Sequence, residues 1–239
     1  MTNGEIRVKG ERTRGCQRKG ALLPFCVSID SPRSGERSEK GLKECAVSSP
    51  ELDRILRLMG GFHYPWFIAG GWALDLACGR QTRAHEDVDL CLFREHLVPL
   101  LRFFEDWEKA VAVPGEERLV PCRSERDVEP PRHELHFRKE GRSVEFLLID
   151  REGDEVLFRR DPSIRMPLGQ LARKDPLGRP YVSPAWQLLF KAKNSRSKDE
   201  ADFLTHLPFL NGEEKRWLLS ALRIHHPSSG WIKRLENEV

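Results

Sequence analysis

Asp87 and Asp89 stand two residues apart in Asp87-Val88-Asp89-Leu90-Cys91-Leu92-Phe93, a run that reads as a strand. In a strand that spacing sends both carboxylates to one face. Two hard oxygen donors side by side suit Mg²⁺, which binds through one or two carboxylates together with substrate phosphates. Upstream, Gly70-Gly71 lies between the apolar run Trp66-Phe67-Ile68-Ala69 and a helical stretch, Trp72–Cys78, that Gly79 would end. Such a glycine pair lets a ligand approach the backbone and aims helix N–H groups at an anion. Arg80 and Arg83 add fixed positive charge between the two features. Phosphate seat, metal seat and charge clamp are together what phosphoryl-group chemistry requires. Each piece alone has a plainer reading: D-x-D as a solvated strand end, Gly-Gly as a turn, the arginines as a solvated loop. Their order along the chain is what favours the phosphoryl-transfer reading.

The run Gly70-Gly71-Trp72-Ala73-Leu74-Asp75, followed by Gly79-Arg80-Gln81-Thr82-Arg83-Ala84-His85-Glu86-Asp87-Val88-Asp89-Leu90, resembles the signature of the polymerase-β-like nucleotidyltransferase superfamily. It looks most like the aminoglycoside 2″-nucleotidyltransferases within it. The close match covers residues 68–90, weaker similarity reaches the helix containing Lys198-Asp199, and residues 1–47 are not covered. The resemblance implies an α+β fold: a nucleotidyltransferase-type mixed β-sheet with flanking helices, followed by a small C-terminal helical bundle. It implies a cytoplasmic enzyme of the antibiotic-resistance kind. Such an enzyme moves a nucleoside monophosphate from an NTP, by analogy ATP, to a hydroxyl of a small molecule such as an aminoglycoside, using two Mg²⁺ and releasing pyrophosphate. By the family's pattern Gly70 and Gly71 contact the triphosphate, Asp87 and Asp89 hold the metals, and His85 orients the site.

The family also uses a third carboxylate from a later strand, and Glu145 and Asp150 are the candidates. Glu145 interrupts an apolar run, Ser143-Val144-Glu145-Phe146-Leu147, that should be buried, where a carboxylate is costly without a cationic partner. Asp150, beside Arg151-Glu152-Gly153, reads equally well as a turn residue. Glu145 is therefore preferred, as metal ligand or proton acceptor. Lys191, Lys193 and Lys198, with Asp199 and Asp202 nearby, fit either phosphate contact or a solvated helix face with local ion pairs. His85-Glu86 lacks the second histidine of H-E-x-x-H and sits by a strand, which argues against zinc. Trp72 and Trp186 read as core, and His225-His226 as surface.

The elements that must hold these residues follow from periodicity. Ser48-Ser49-Pro50-Glu51 is a capping pattern with a first-turn proline, and Leu52, Ile55, Leu56 and Met59 then recur on one helical face up to Gly60-Gly61. His96–Trp107 reads as a helix carrying Leu97, Leu100, Leu101 and Phe104. Short β runs follow at Arg118–Cys122, His133–Arg138, Ser143–Ile149 and Glu155–Arg159. Beyond Ser183-Pro184, helices fit Trp186–Lys193, Lys198–Leu207, Glu213–Ile224 and Ser229–Asn237. The organisation expected is an extension outside the fold over 1–47, an α/β nucleotidyltransferase domain over 48–165, and a helical subdomain over 166–239.

Composition bounds the function. The 239 residues, 39% hydrophobic and 32% charged, suffice for one ordinary domain or two small ones. No apolar run approaches the roughly 20 residues of a membrane helix, and the first residues lack a secretory apolar region. Six cysteines without a C-x-x-C suit a reducing cytosol better than a zinc ribbon or a disulfide scaffold. The net charge of +3 is unevenly placed: residues 1–43 hold ten Lys/Arg against five Asp/Glu, the remainder 30 against 32. The body thus lacks the basic excess of nucleic-acid binders, although clustering on one face would still make a local basic groove. Two other readings stay open. One is nucleotidylation of a protein or a tRNA end, as in toxin–antitoxin enzymes, with the basic tail as tether. The other is a non-catalytic nucleotide-binding module, which convergence of Asp87, Asp89 and Glu145 would disfavour. Oligomeric state is not legible.

Overall fold

A computed structural model describes residues 47–193 and 195–239 of the chain. Of the extension expected over residues 1–47, residues 1–46 lie outside the described residues, while Val47 is buried and its carbonyl accepts from Arg179 at 2.6 Å, so it belongs to the fold. The first helix, α1 (Pro50–Met59), starts where the serine–proline pattern put it: the Ser49 hydroxyl accepts from the backbone N–H of Glu51 and Leu52, and Leu52, Ile55 and Met59 are buried. Strand β1 (Trp66–Ile68) then leads straight into α2 (Gly70–Cys78), which ends on Gly79 in the left-handed region, φ 72°. Strand β2 (Asp89–Phe93) begins at Asp89, so Asp87 precedes the strand, two residues later than the sequence pattern suggested.

The helix expected over His96–Trp107 is a single 3₁₀ turn and a short helix, α3 (Leu97–Phe103). Beyond it the chain enters an unforeseen strand, β3 (Glu108–Ala112), in which only Val111 is fully buried, too little alternation to signal a strand. Strands β4 (Leu119–Pro121), β5 (Glu134–Lys139), β6 (Arg142–Glu152) and β7 (Glu155–Leu157) follow the expected β runs. Then come β8 (Arg165–Pro167), the one-turn α4 (Leu168–Leu171), β9 (Ala172–Lys174) and β10 (Pro180–Val182). These three-residue strands are too short for periodicity to reveal. They make residues 165–182 part of the β structure rather than of the helical part, to which the sequence assigned 166–182. Helices α5 (Pro184–Ala192), α6 (Ser197–His206), α7 (Gly212–His225) and α8 (Gly230–Glu236) complete the chain close to the expected positions.

The fold is α+β. The mixed sheet runs β4-β3-β5-β6-β2-β1-β10-β9, with β7 and β8 continuing from the end of β6. The β2–β6 and β1–β10 pairs are parallel and the other pairs antiparallel. Leu135, Phe137, Val144, Phe146 and Leu148 alternate into a dry core, where Phe104 packs on Phe137 and Phe146 at 4.8 and 5.7 Å between ring centroids. The alternate residues of the same strands, Glu134, His136 and Glu145, therefore occupy the opposite face of the sheet. Trp72 and Trp186 are core residues as expected, while His225 is half-buried with its ring edge-on to Phe158 rather than at the surface.

Candidate active site

Strand register assembles the polar row. Asp89 on β2 lies beside Glu145 on β6, and Glu145 lies beside His136 on β5. The carboxylates of Asp87, Asp89 and Glu145 approach so that one oxygen from each lies within 4.8 Å of the others. Glu145 is half-exposed rather than buried, because its side chain faces a cleft while its apolar neighbours face the core. Its partner is His136, whose Nδ1 sits 3.0 Å from Glu145 and whose Nε2 sits 2.9 Å from Glu134. Asp150 is elsewhere, gripped by both arms of the Arg94 guanidinium at 2.5 and 3.1 Å.

Burial pushes the Asp89 carboxyl up to about 6, and the neighbouring charges of Asp87 and Glu145 add to the rise, only partly offset by Lys191. Three crowded oxygen donors that repel one another in the bare protein are the donor set a hard divalent cation satisfies. The residues present fit such an ion.

The two glycines next to the carboxylates are sterically required. Ala69 N–H donates to Asp89 O at 2.9 Å, which fastens the start of α2 to the start of β2. Gly70 has φ +64°, and a Cβ there would overlap the Asp89 carboxylate; a Cβ on Gly71 would overlap the His85 ring. The Gly70 N–H is taken by Gln187 Oε1 at 3.0 Å. The N-cap residue of α2, Ala69, offers no side-chain cap, which leaves the turn's remaining N–H groups for a ligand.

His85 is not free to ligate. Its Nε2 lies 2.5 Å from Oδ2 of the fully buried Asp75, whose Oδ1 accepts from the Thr82 backbone and hydroxyl at 3.1 and 2.6 Å. The His85 ring also packs on Trp72, 4.6 Å between centroids. A buried carboxylate thus orients the imidazole against Gly71 and holds the loop in place.

The expected cations divide. Arg83 forms a bidentate pair with Asp202 at 3.0 and 3.1 Å, and this hydrogen-bonded pairing raises its pKa. Lys191 bridges Asp199 and Asp202 at 3.2 and 2.9 Å. Burial would lift the Asp199 carboxyl, but hydrogen bonds from Arg196 and the charge of Lys191 hold it down to about 2. The ion-pair reading of these residues therefore holds for Lys191, while Lys198 and Lys193 line the cleft without an ion pair among the described residues. Arg80 does not join the site. It is exposed, with its guanidinium over the Phe209 ring at 5.8 Å.

Gly70, Gly71, Arg83, His85, Asp87, Asp89, Glu145, Lys191 and Lys198 all line one cleft of about 780 Å³ between the polar sheet face and α5–α6. Glu134, His136 and Gln187 were missed by sequence reading. The alternation Glu134-x-His136 on a strand with Leu135 and Phe137 buried was the available signal for the first two. Gln187 had none.

The profile of the aminoglycoside-2″-adenylyltransferase family matches residues 51–152, which hold both glycines and all three carboxylates. A lincosamide resistance protein of Staphylococcus haemolyticus is 31% identical over 65 residues, 27% of this chain. The chain spans 40% of the length of that relative. A lincosamide antibiotic adenylyltransferase solved with lincomycin aligns over 69% of this chain and 99% of its own, at 19% identity and a TM-score of 0.49. The ANT(2″)-Ia enzyme in complex with adenylyl-2″-tobramycin aligns over 71% of this chain and 94% of its own, at 14% identity and a TM-score of 0.47. No helix among the described residues is long and apolar enough to cross a membrane.

Proposed function

We propose that the protein transfers a nucleoside monophosphate from an NTP, ATP by the family resemblance, to a hydroxyl of a small molecule, with release of pyrophosphate. One observation carries this reading: the carboxylates of Asp87, Asp89 and Glu145 converge within 4.8 Å beside the uncapped start of α2. Asp87, Asp89 and Glu145 are the residues that would hold Mg²⁺. Such ions, when bound, neutralise the phosphates and stabilise charge on the entering and leaving oxygens.

The chain's own groups do the rest. The first turn of α2, reached across Gly70 and Gly71, receives phosphate oxygens on backbone N–H groups. Lys198 supplies mobile positive charge to the same anion, and the Asp202-locked Arg83 fixes the wall beside it. The acceptor hydroxyl oxygen bonds to the α-phosphorus, the bond from that phosphorus to the bridging oxygen breaks, and pyrophosphate leaves with the electron pair. Glu145 is placed to take the hydroxyl proton, with His136 behind it holding the carboxylate at 3.0 Å. The relative that is 31% identical over 65 residues is named a lincosamide resistance protein, which makes hydroxyl-bearing antibiotics the first class to try.

The test is a matrix of NTPs and acceptors in Mg²⁺, read by pyrophosphate release and by product mass. Release that requires both metal and acceptor, together with a mass increase of one nucleoside monophosphate on the acceptor, is the expected result. Release without mass gain on any acceptor would mean hydrolysis and would overturn the transfer reading.

A further inference from the structure

The cleft has a second wall that the transfer chemistry does not use. Arg159 and Arg160 follow β7, and their guanidinium carbons stand 5.0 and 5.1 Å from the ring centroid of Phe190 on α5. Arg160 Nη1 also donates to the Phe190 carbonyl at 2.9 Å, and Lys193 lines the cleft nearby. Among the described residues, no carboxylate comes within 4.0 Å of Arg159, Arg160 or Lys193. The acids in the neighbourhood are engaged: Glu134 holds His136 at 2.9 Å, and Asp161 accepts from the Ser163 N–H and hydroxyl at 3.0 and 2.6 Å.

Burial, helped by the charge of Arg160, brings the Arg159 guanidinium down to about 10, the opposite of what Asp202 does to Arg83. A half-buried guanidinium without a counter-charge is costly, and an aromatic face recovers only part of that cost. An anion arriving from the cleft would remove it, and the planar guanidinium fork suits phosphate or carboxylate oxygens.

The wall shares α5 with Gln187, which holds the Gly70 N–H at 3.0 Å, but its arginines act toward the β5 side of the sheet. Gly70 and Gly71 follow β1, on one side of the β2–β6 pair that carries the carboxylates. Arg159 acts electrostatically on Glu134 and His133 at the start of β5, on the other side of that pair.

We propose that Arg159 and Arg160 grip an anionic group, a phosphate or a carboxylate, on the acceptor, so that the site selects hydroxylated anions and rejects polycations. This rests on the transfer reading above and narrows its acceptor class. Two guanidinium groups and a lysine lining the cleft act against a polyamine by like-charge repulsion, which can discriminate as attraction does.

Binding to the full-length chain can be measured by calorimetry without turnover. The probes are glucose 6-phosphate, glucuronate, methyl glucoside and tobramycin, each at low and high salt. Glucose 6-phosphate or glucuronate should bind the wild type, weakened by salt, and methyl glucoside and tobramycin should bind at least tenfold more weakly. The better of the two anions tells phosphate from carboxylate. The double variant Arg159→Gln/Arg160→Gln should lose at least tenfold in affinity for that anion while its affinity for Mg²⁺-ATP changes less than twofold. Arg159→Lys/Arg160→Lys should recover part of the loss. Tobramycin binding as tightly as either anion, neither anion binding, or an unchanged affinity in the double Gln variant would each overturn the proposal. So would a loss of ATP affinity in its place, since the pair would then be a triphosphate clamp. Failure of the transfer reading would look different: wild-type protein that binds the anion yet neither binds Mg²⁺-ATP nor releases pyrophosphate.

Discussion

Replacing Asp89 by asparagine keeps the shape of the side chain and removes one charge from a crowded group of three. In the folded chain its carboxyl stands at about 6, against 3.8 ordinarily. A carboxyl whose pKa is raised by folding favours the folded state only while protonated, so its contribution is complete below about pH 4 and is lost as the pH climbs through 6. A rise from 3.8 to about 6 corresponds to roughly 3 kcal/mol at most. Water in the cleft screens part of this, leaving an expected effect of about 1–2 kcal/mol. At pH 7.5, without divalent ions, Asp89→Asn should therefore be the more stable protein, with a melting temperature higher by roughly 2–8 °C for a domain of this size. The assay is thermal unfolding of both proteins in EDTA between pH 4 and 7.5, with the difference plotted against pH so that other titrations cancel. The difference should open as the pH rises. A flat difference, or a variant less stable than wild type at pH 7.5, would refute the crowding argument.

Other substitutions separate packing from chemistry. Leu90→Ala empties a fully buried position beside the carboxylates, and should cost about 2–5 kcal/mol in denaturant unfolding while the folded fraction keeps its specific pyrophosphate release. Gly71→Ala drives a methyl group into the His85 ring; unfolding should show a loss of roughly 1–3 kcal/mol, with a higher KM for the NTP. Asp202→Ala strips Arg83 of its partner and leaves Lys191 with Asp199 alone, an expected cost of about 2–3 kcal/mol given that Arg83 is partly exposed. From composition alone, deletion of residues 1–43 should move the melting temperature by no more than a few degrees, as a truncated chain measured beside the full one would show.

The parts of the fold that were legible in the sequence are those written in local rules. The Ser49 cap and the stripe Leu52, Ile55 and Met59 announced α1, and Gly79 announced the end of α2. Asp87, Asp89 and Glu145 stood out as candidates because each has an odd chemistry for its neighbourhood: two acids spaced on a strand pattern and one acid in an apolar run. The idea of a third carboxylate, however, came from the family resemblance and left Asp150 open. What the sequence could not give was register. Only the alignment of β6 with β2 puts Glu145, and not Asp150, beside Asp89, and only β5 against β6 brings His136 there. Arg83 looked like an open phosphate ligand because Asp202 is 119 residues away and meets it only through α6, whereas the ion pairs open to Lys191 were local enough to be foreseen. The strands β8 to β10 and β3 were hidden for a different reason, being short or nearly featureless in alternation.

The proposed chemistry depends on Asp87, Asp89 and Glu145 forming a divalent-ion seat that a nucleotide completes. The most direct test counts Mn²⁺ bound per chain by electron paramagnetic resonance, with and without a non-hydrolysable ATP analogue. The prediction is about two ions per chain when the analogue is present, clearly fewer without it, and near-complete loss in Asp87→Asn/Asp89→Asn with the fold intact by circular dichroism. A wild type that takes up no more Mn²⁺ with the analogue than the analogue binds alone, or a double variant that retains both ions, would contradict it.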